Sequence, residues 1–335
     1  MIKNICHLIA SREHGGLEKH VADLSRWQAR NTNAQVSVIA HPRYLPTLDE
    51  KVQFIPLNTD RSRHHPNLVW RLANQIRKGQ YQIAHGHGSK SAQLLAAVKP
   101  YTEALQVITR HNVRHPRDKL ASTFDARIAI SEGAIANSRL EWHIIPNGVE
   151  RQSPAANSPL LPEIIQQRPL LLAASRLIKA RGIDRLIDAM ALLPDTYLMI
   201  LGDGPEKEAL EAQCRNRGLE KRIVFFSADN TLANFLEVAD LLVIPARSDG
   251  TPYTLIEALL NRCPVVSTPT GNALDYLPEA YLFSDLTHTH IAEKIQWALD
   301  QPKEDFATRF EHARQELTLD SMARATWQVY SRLIA

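Results

Sequence analysis

The chain has 335 residues, of which 44% are hydrophobic and 22% are charged, with a formal net charge of +3 at pH 7. This length suits two domains of ordinary size, and this composition excludes disordered and fibrous proteins. No apolar run has the length of a membrane span, and the first residues do not have the pattern of a signal peptide. We therefore expect a cytoplasmic protein.

Three cysteines, Cys6, Cys214 and Cys263, are far apart in the sequence. Their odd number and their spacing predict small buried core residues in a reducing compartment, and neither a disulfide framework nor a metal site.

The net charge conceals an asymmetry between the two halves of the chain. Residues 1–150 contain 20 Lys+Arg and 12 Asp+Glu, a balance of +8, whereas residues 151–335 contain 19 and 24, a balance of −5. Eleven of the 14 histidines also lie in the first half. A basic half suggests contact with an anionic acceptor or surface, although charge that serves only solubility would give the same balance.

In the first half, short apolar runs alternate with helix-like stretches. The predicted strands are 2–9, 35–40, 52–56, 83–85, 106–109, 127–130 and 142–145, and the predicted helices are 17–30, 68–78, 90–98 and 132–138. Such alternation predicts a parallel sheet with helices on both faces. Proline, serine and asparagine in 151–162 predict a linker, so residues 1–150 form the first predicted domain.

The alternation begins again after the linker. The predicted strands are 170–174, 197–201, 223–226, 241–244 and 265–267, and the predicted helices are 182–193, 205–217, 232–239 and 253–261. Residues 163–318 therefore predict a second doubly wound α/β domain. An amphipathic stretch within 319–335 predicts a final helix that packs back toward the first domain.

Four turns that follow predicted strands contain glycine, and ligands of such sheets bind beyond the carboxyl ends of the strands. Gly15 and Gly16 begin a helix whose free N–H groups suit an anion. Arg176, Lys179 and Arg181 lie between a strand and a helix. Arginines in this position suit the binding of phosphate oxygens, but the same residues fit a solvated loop without a ligand equally well. The other two turns are Gly202-Asp203-Gly204-Pro205 and Asp249-Gly250-Thr251-Pro252, and the helix after the latter contains Tyr253 and Glu257.

His85 and His87 end a predicted strand on the same side of the sheet. Metal binding, acid–base chemistry, hydrogen bonds to hydroxyls and a purely structural role are all compatible with this pair. The sequence shows no third ligand near them. It also contains no Asp-x-Asp pair of the kind that holds a divalent cation against a donor diphosphate.

Together these motifs resemble the retaining glycosyltransferases of family four, which have the GT-B fold of two facing Rossmann-like domains separated by a cleft. The resemblance covers nearly the whole chain. It rests on the Gly-Gly turn, the His-x-His strand end at 85–87, the Thr-x-His at 109–111, and the segments 130–132 and 145–149. In the second half it rests on the Arg176 to Gly182 loop, the Gly202 turn, and the pair Asp249 and Glu257.

The resemblance implies transfer from a nucleoside-diphosphate sugar. The missing Asp-x-Asp and the cationic residues predict that this transfer is metal-independent. Arg176 and Arg181 would neutralise the diphosphate, Glu257 would bind the ribose, and Asp249 would bind the donor sugar. His87 would reach the same sugar. The remaining donor-site positions are Gly15, Gly16, Gly204, Gly250, Thr251, Pro252 and Tyr253.

The chain departs from the family pattern at two positions, since Asp249 replaces the usual first glutamate and Arg181 replaces the usual lysine. Because both changes conserve charge, activity is expected.

His111 and Arg114 are acceptor-side candidates, and the expected acceptor is an anionic or lipid-linked saccharide of the cell envelope, such as a lipopolysaccharide core. Two basic segments predict this, and they allow peripheral contact with the inner face of an anionic membrane. The first contains Arg61, Arg63, Arg71, Arg77 and Lys78 beside Leu68, Val69, Trp70 and Leu72, and the second contains Arg110, Arg114, Arg117 and Lys119.

Two other functions fit the same architecture. A sugar-nucleotide 2-epimerase would bind the same donor without an acceptor. A non-catalytic protein that binds anions or nucleic acid would explain the basic half, but the acidic second half argues against nucleic acid.

Overall fold

A computed structural model describes residues 1–12, 15–111, 118–152, 168–228, 231–247, 252–271 and 273–335. The chain divides into two compact units. Unit 1 consists of Met1–Val149 and Glu316–Ala335, and unit 2 consists of Glu150–Gln315. Of the predicted linker, only residues 151 and 152 belong to the described part of the chain.

Unit 1 is built on a seven-stranded parallel sheet. Its strands are β1 (Asn4–Ile9), β2 (Gln35–Ala40), β3 (Gln53–Pro56), β4 (Ile83–His87), β5 (Leu105–Arg110), β6 (Ala126–Ala129) and β7 (His143–Ile144). Their spatial order is β3-β2-β1-β4-β5-β6-β7, so the direction of winding reverses between β1 and β4. Ligands of open α/β sheets bind at such a reversal point.

The helices of unit 1 are α1 (Gly16–Asn31), α2 (Pro66–Lys78), α3 (Gly88–Val98) and α4 (Asp118–Ala121). In α2 the buried residues follow helical spacing and face the core, namely Leu68, Leu72, Ala73 and Ile76. The predicted helix over 132–138 is wrong, because only a 3-10 turn forms over Glu132–Ile135. There the Ala134 carbonyl accepts a hydrogen bond from Nε of Arg110 at 2.8 Å, while the Ser138 N–H bonds to Ile135. The bonding that would continue an α-helix is therefore not made.

The C-terminal helix α12 (Leu319–Ile334) belongs to unit 1. Its apolar face, with Met322 and Tyr330, joins a core cluster that includes Ile5 and Ile83 of the sheet. At its start, Asp320 accepts a hydrogen bond from the Trp27 indole N–H at 3.0 Å. This helix therefore completes the core of a unit that is otherwise formed by the first half of the chain.

Unit 2 repeats the arrangement with a five-stranded parallel sheet. Its strands are β8 (Leu170–Ala174), β9 (Tyr197–Leu201), β10 (Ile223–Phe226), β11 (Leu241–Ile244) and β12 (Val265–Ser267). Their order is β10-β9-β8-β11-β12, and the winding reverses between β8 and β11. The helices are α5 (Ile183–Met190), α6 (Lys207–Asn216), α7 (Leu232–Val238), α8 (Tyr253–Leu260), α9 (Ala273–Tyr276), α10 (His288–Leu299) and α11 (Ala307–Glu316). Both units are therefore doubly wound, as the sequence predicts.

All three cysteines are buried, as predicted, and all three are free thiols. Burial raises the pKa of Cys214 and Cys263 to about 12, so these thiols remain protonated at neutral pH. Among the described residues, no helix combines the length and apolar character needed to span a bilayer.

Candidate functional site

Five histidine side chains meet at the carboxyl edge of the unit 1 sheet, beside the reversal point. They are His7 on β1, His20 on α1, His85 and His87 on β4, and His111 just after β5. The rings of His85 and His87 are 4.1 Å apart between centroids, which confirms that both point to one side of the sheet. His111 is partly exposed, whereas the other four are buried.

Three of these histidines form a directed hydrogen-bond chain. His7 Nε2 lies 2.7 Å from Oε1 of Gln28, which can only accept, so Nε2 carries the proton and Nδ1 is an acceptor. His87 Nε2 therefore donates to His7 Nδ1 at 3.0 Å. His87 Nδ1 in turn accepts from His111 Nε2 at 3.3 Å. The chain therefore fixes the tautomer of each imidazole from the buried glutamine outward.

His20 and His85 are oriented by other partners. His20 Nδ1 donates to Oδ1 of Asn147 at 2.9 Å. His85 bonds to Thr109 Oγ1 at 2.7 Å and to the hydroxyl of Tyr330. The last contact ties the cluster to α12.

The cluster is uncharged at neutral pH. Burial lowers the pKa of both His7 and His20 to about 4. Burial also holds the pKa of His85, His87 and His111 well below the ordinary value of 6.5, and repulsion from neighbouring imidazoles adds to the effect. Neutral imidazoles keep lone pairs that can accept a hydrogen bond or bind a metal.

Sequence reasoning singled out His85, His87 and His111 but missed His7 and His20. His7 is directly opposite His85 in the parallel register of β1 and β4. His20 comes from one helical turn into α1. The concentration of histidine in the first half was the available signal, and we interpreted it only as part of the basic character of that half.

Gly15 and Gly16 lie where the sequence predicts, at the start of α1. Gly15 is the N-cap residue and makes no side-chain cap. The buried Glu18 carboxylate lies in the first turn and accepts a hydrogen bond from Ser11 Oγ. This buried acid is a further feature that the sequence reasoning did not use.

In unit 2, cationic side chains follow β8 at the reversal point. Arg176 is exposed two residues after the strand, and Arg181 is half-buried just before α5. Arg247, which follows β11, was not predicted. It pairs with Asp184 through two bonds of 2.8 and 2.6 Å, and it also donates to the carbonyls of Ala180 and Lys179. Arg247 therefore holds the loop that presents Arg181.

Two glycines let the loops around this edge approach one another. Gly182 has φ +70°, and a Cβ there would lie 2.0 Å from the Pro245 carbonyl oxygen after β11. A Cβ on Gly204 would lie 2.3 Å from the Leu177 carbonyl oxygen after β8. Close backbone packing therefore explains both glycines. The Asp203 carboxylate connects the turn after β9 to the segment after β10, because it accepts hydrogen bonds from the Ala228 N–H and the Ser227 hydroxyl. These bonds, together with the contact with Lys207, lower the pKa of Asp203.

The structure describes only part of the predicted donor motif that runs from Asp249 to Glu257. Pro252 is the N-cap residue of α8, Tyr253 is its first residue, and Glu257 lies half-buried one turn further along. Asp249, Gly250 and Thr251 lie outside the described residues, as does the acceptor-side candidate Arg114.

The predicted basic segment around α2 needs one correction. Leu68 and Leu72 are buried in the core, so they do not form an apolar surface beside the cations. Trp70 is 62% exposed, and Arg71 on the same helix is also exposed. In the second segment, Arg110 is tied to Ala134, and burial lowers its pKa. Arg117 lies outside the described part of the chain.

Two family models match the chain in succession. The model described as Glycosyltransferase Family 4 matches residues 14–153, and the model described as Glycosyl transferases group 1 matches residues 162–316. The second match contains the arginine loop and α8 of unit 2.

Two curated relatives are named as glycosyltransferases of lipopolysaccharide or its core. The chain is 32% identical over 123 residues to lipopolysaccharide glucosyltransferase WaaG of Escherichia coli K12, covering 35% of this chain and 32% of that protein. It is 30% identical over 100 residues to the lipopolysaccharide core biosynthesis glycosyltransferase LpsE of Rhizobium meliloti, covering 30% and 29%. The chain thus spans about a third of the length of these relatives.

Among solved structures, Anabaena Alr3699/HepE in complex with UDP and glucose matches with a TM-score of 0.80 at 19% identity, covering 98% of this chain and 100% of that one. At this identity the similarity concerns the fold, and it extends over both units.

Proposed function

Since this chain belongs to the glycosyltransferases of family four and group 1, which have the GT-B fold, we propose that it transfers a sugar from a nucleoside-diphosphate sugar to an acceptor. The observation that carries the proposal is the edge of the unit 2 sheet. There Arg176 and Arg181 follow β8 at the reversal point, inside the matched group 1 region.

The donor diphosphate is assigned to the two arginines. Departure of a nucleoside diphosphate accumulates negative charge on its β-phosphate. Cations fixed beside that phosphate stabilise the transition state more than the ground state. The contacts of Arg247 with the carbonyls of Lys179 and Ala180 support this role, because they hold in place the loop that carries Arg181. Gly204 has a packing function at the same edge, and its contact with the donor is part of the proposal.

The remaining donor contacts are assigned by position. Glu257 would accept hydrogen bonds from the ribose hydroxyls. Backbone N–H groups around Pro252 and Tyr253, with Gly250 and Thr251, would bind phosphate at the N-terminus of α8. Asp249 and His87 would bind the donor sugar, and Gly15 and Gly16 would approach the diphosphate.

We propose that transfer retains the anomeric configuration by a front-face reaction. The leaving phosphate would assist deprotonation of the acceptor hydroxyl, and no side chain is assigned as nucleophile. The family models and named relatives are glycosyltransferases, and they give the epimerase alternative no support.

Transfer is expected to require no divalent cation, because arginines are assigned to the diphosphate charge and the chain has no Asp-x-Asp. The purified protein would be incubated with nucleoside-diphosphate sugars, with and without truncated envelope glycans as acceptors. Product formation with equimolar release of nucleoside diphosphate is expected to be unchanged by EDTA.

Complete loss of transfer with EDTA, restored by magnesium or manganese, would contradict metal independence. Interconversion of the donor sugar without an acceptor would instead identify an epimerase and overturn the transfer proposal.

The acceptor is assigned to unit 1 and is proposed to be an anionic or lipid-linked saccharide, such as a lipopolysaccharide core. The named relatives WaaG and LpsE act in lipopolysaccharide synthesis, which supports this class. His111 and Arg114 are its proposed contacts. Exposed Trp70 and Arg71, with the exposed cations Arg61 and Arg63, would allow peripheral attachment of a cytoplasmic enzyme to an anionic membrane.

Binding to vesicles tests this attachment. Vesicles containing anionic phospholipid are expected to co-sediment the protein at low salt and to release it as salt rises, because each cation near the surface contributes about 1 kcal/mol before screening. A double variant, Trp70→Ala with Arg71→Glu, is expected to weaken binding, whereas Arg215→Glu on exposed α6 of unit 2 is the charge control. Failure to bind anionic vesicles at low salt, together with no preference for phosphorylated acceptors, would overturn this assignment.

A further inference from the structure

Within the histidine cluster, three imidazoles are arranged as a set of ligands. One ring nitrogen from each of His20, His87 and His111 lies within 4.8 Å of those of the other two. The three come from α1, the end of β4 and the residue after β5, so the folded sheet is needed to assemble them. We propose that these three side chains bind a divalent transition-metal ion of the zinc type, for which neutral imidazole is a preferred ligand.

In two of the three histidines, the hydrogen bonds behind the set leave one ring nitrogen free of a proton, whereas His111 Nε2 carries a proton that it donates to His87. Asn147 fixes the His20 proton on Nδ1, which leaves the lone pair on Nε2. Among the described residues, no group bonds to this buried Nε2. His7, itself held by Gln28, fixes the His87 proton on Nε2 and leaves the lone pair on Nδ1. Such partners behind a metal-binding histidine set its tautomer and its ring direction.

The spacing also suits a tetrahedral ion. Zinc–nitrogen bonds of about 2.0–2.1 Å place two ligand nitrogens roughly 3.3 Å apart. His87 Nδ1 and His111 Nε2 are separated by 3.3 Å. The largest separation within the set, at most 4.8 Å, needs to shorten by no more than about 1.5 Å. The proton now shared by His87 and His111 would move to Nδ1 of His111 when the ion binds.

A second set, His7, His85 and His87, also has ring nitrogens within 4.8 Å of one another, but it fits an ion less well. Both nitrogens of His7 and both of His85 already have hydrogen-bond partners, and all three rings are buried. The set with His20 and His111 has a nitrogen without a partner and one partly exposed ligand as a route of entry.

The proposed site lies in unit 1 and shares His87 and His111 with the proposed contacts of the donor sugar and the acceptor, but zinc binding can be tested separately from transfer. The diphosphate charge is assigned to arginines in unit 2, so metal binding can be measured without donor, and its failure would leave the transfer proposal standing. Transfer that resists EDTA would likewise leave the metal site standing.

The test is calorimetric titration of the full chain with Zn²⁺ after chelator treatment and dialysis. One tight site per chain is expected. His20→Gln and His111→Gln are each expected to lower its affinity by about a hundredfold or more, and Asn147→Ala by about 10- to 100-fold. His143→Gln, which removes an exposed histidine on β7 of the same unit, is the matched control and is expected to leave the tight site unchanged.

Circular dichroism and thermal melting would show whether each variant is folded, and the partly exposed His111 provides a variant less disruptive than buried His20. The proposal is overturned if the folded protein binds no Zn²⁺ tightly. It is also overturned if tight binding survives both His20→Gln and His111→Gln but is lost on substitution of His85.

Discussion

Replacement of Arg176 with alanine is expected to lower the rate of sugar transfer by about a hundredfold or more, as for other groups that stabilise charge in a transition state. Arg176 is exposed two residues beyond β8, and we assign it to the departing diphosphate. Because that charge develops during bond cleavage, kcat should fall more than the KM for the donor rises. Steady-state kinetics with varied donor would separate the two effects.

Arg215→Ala is the control, since it removes an exposed arginine from the last turn of α6 in the same unit. Glu257→Ala should act differently, mainly by raising the KM for the donor, because a ribose contact is made equally in ground and transition states. A near-normal kcat in the Arg176 variant together with an unchanged donor KM in the Glu257 variant, each folded, would refute the assignment of the donor site.

Replacement of Gly182 with alanine is expected to destabilise unit 2 by about 2–5 kcal/mol. An L-residue at φ +70° costs roughly 1–2 kcal/mol, and a Cβ placed 2.0 Å from the Pro245 carbonyl oxygen adds roughly 1–3 kcal/mol of overpacking. Chemical denaturation followed by tryptophan fluorescence and circular dichroism would measure the change in midpoint.

Gly218 provides a matched control because it has nearly the same backbone conformation, with φ +65°, and nothing within 4 Å of a Cβ. Gly218→Ala should therefore show only the conformational cost, about 1–2 kcal/mol. Equal losses in the two variants would show that contact with Pro245 does not determine the stability of this edge.

The second sheet was the most predictable part of the fold. All five of its strands, from Leu170–Ala174 to Val265–Ser267, have the bounds that the apolar runs predict. Strands that are buried on both faces consist almost entirely of apolar residues, and turn residues mark where each strand begins and ends. Helices α9, α10 and α11 were not predicted, although Ile291, Ile295 and Ala298 of α10 are buried at helical spacing.

The parts of the candidate sites that could be predicted are those formed by residues close together in the sequence. The arginine loop before α5 and the pair His85 and His87 are local patterns that survive in the folded chain. Arg247 and His20 were missed because their roles come from partners far away in sequence, Asp184 and Asn147. Trp70 and Leu72 differ in the same way, since helix periodicity turns one to solvent and the other into the core.

The most direct test of the central claim is the binding of nucleoside diphosphates to the purified protein, measured by thermal shift and calorimetry. One nucleoside diphosphate and its sugar conjugates should raise the melting temperature, with about 2.7 kcal/mol of added stability at a hundredfold excess over Kd. Arg176→Ala should reduce the shift given by the free nucleoside diphosphate, which carries the charge that develops on bond cleavage, more than the shift given by its sugar conjugates. Arg215→Ala should retain both shifts. The absence of any shift with every nucleoside diphosphate and nucleoside-diphosphate sugar tested would contradict the claim that this chain is a sugar-nucleotide-dependent transferase.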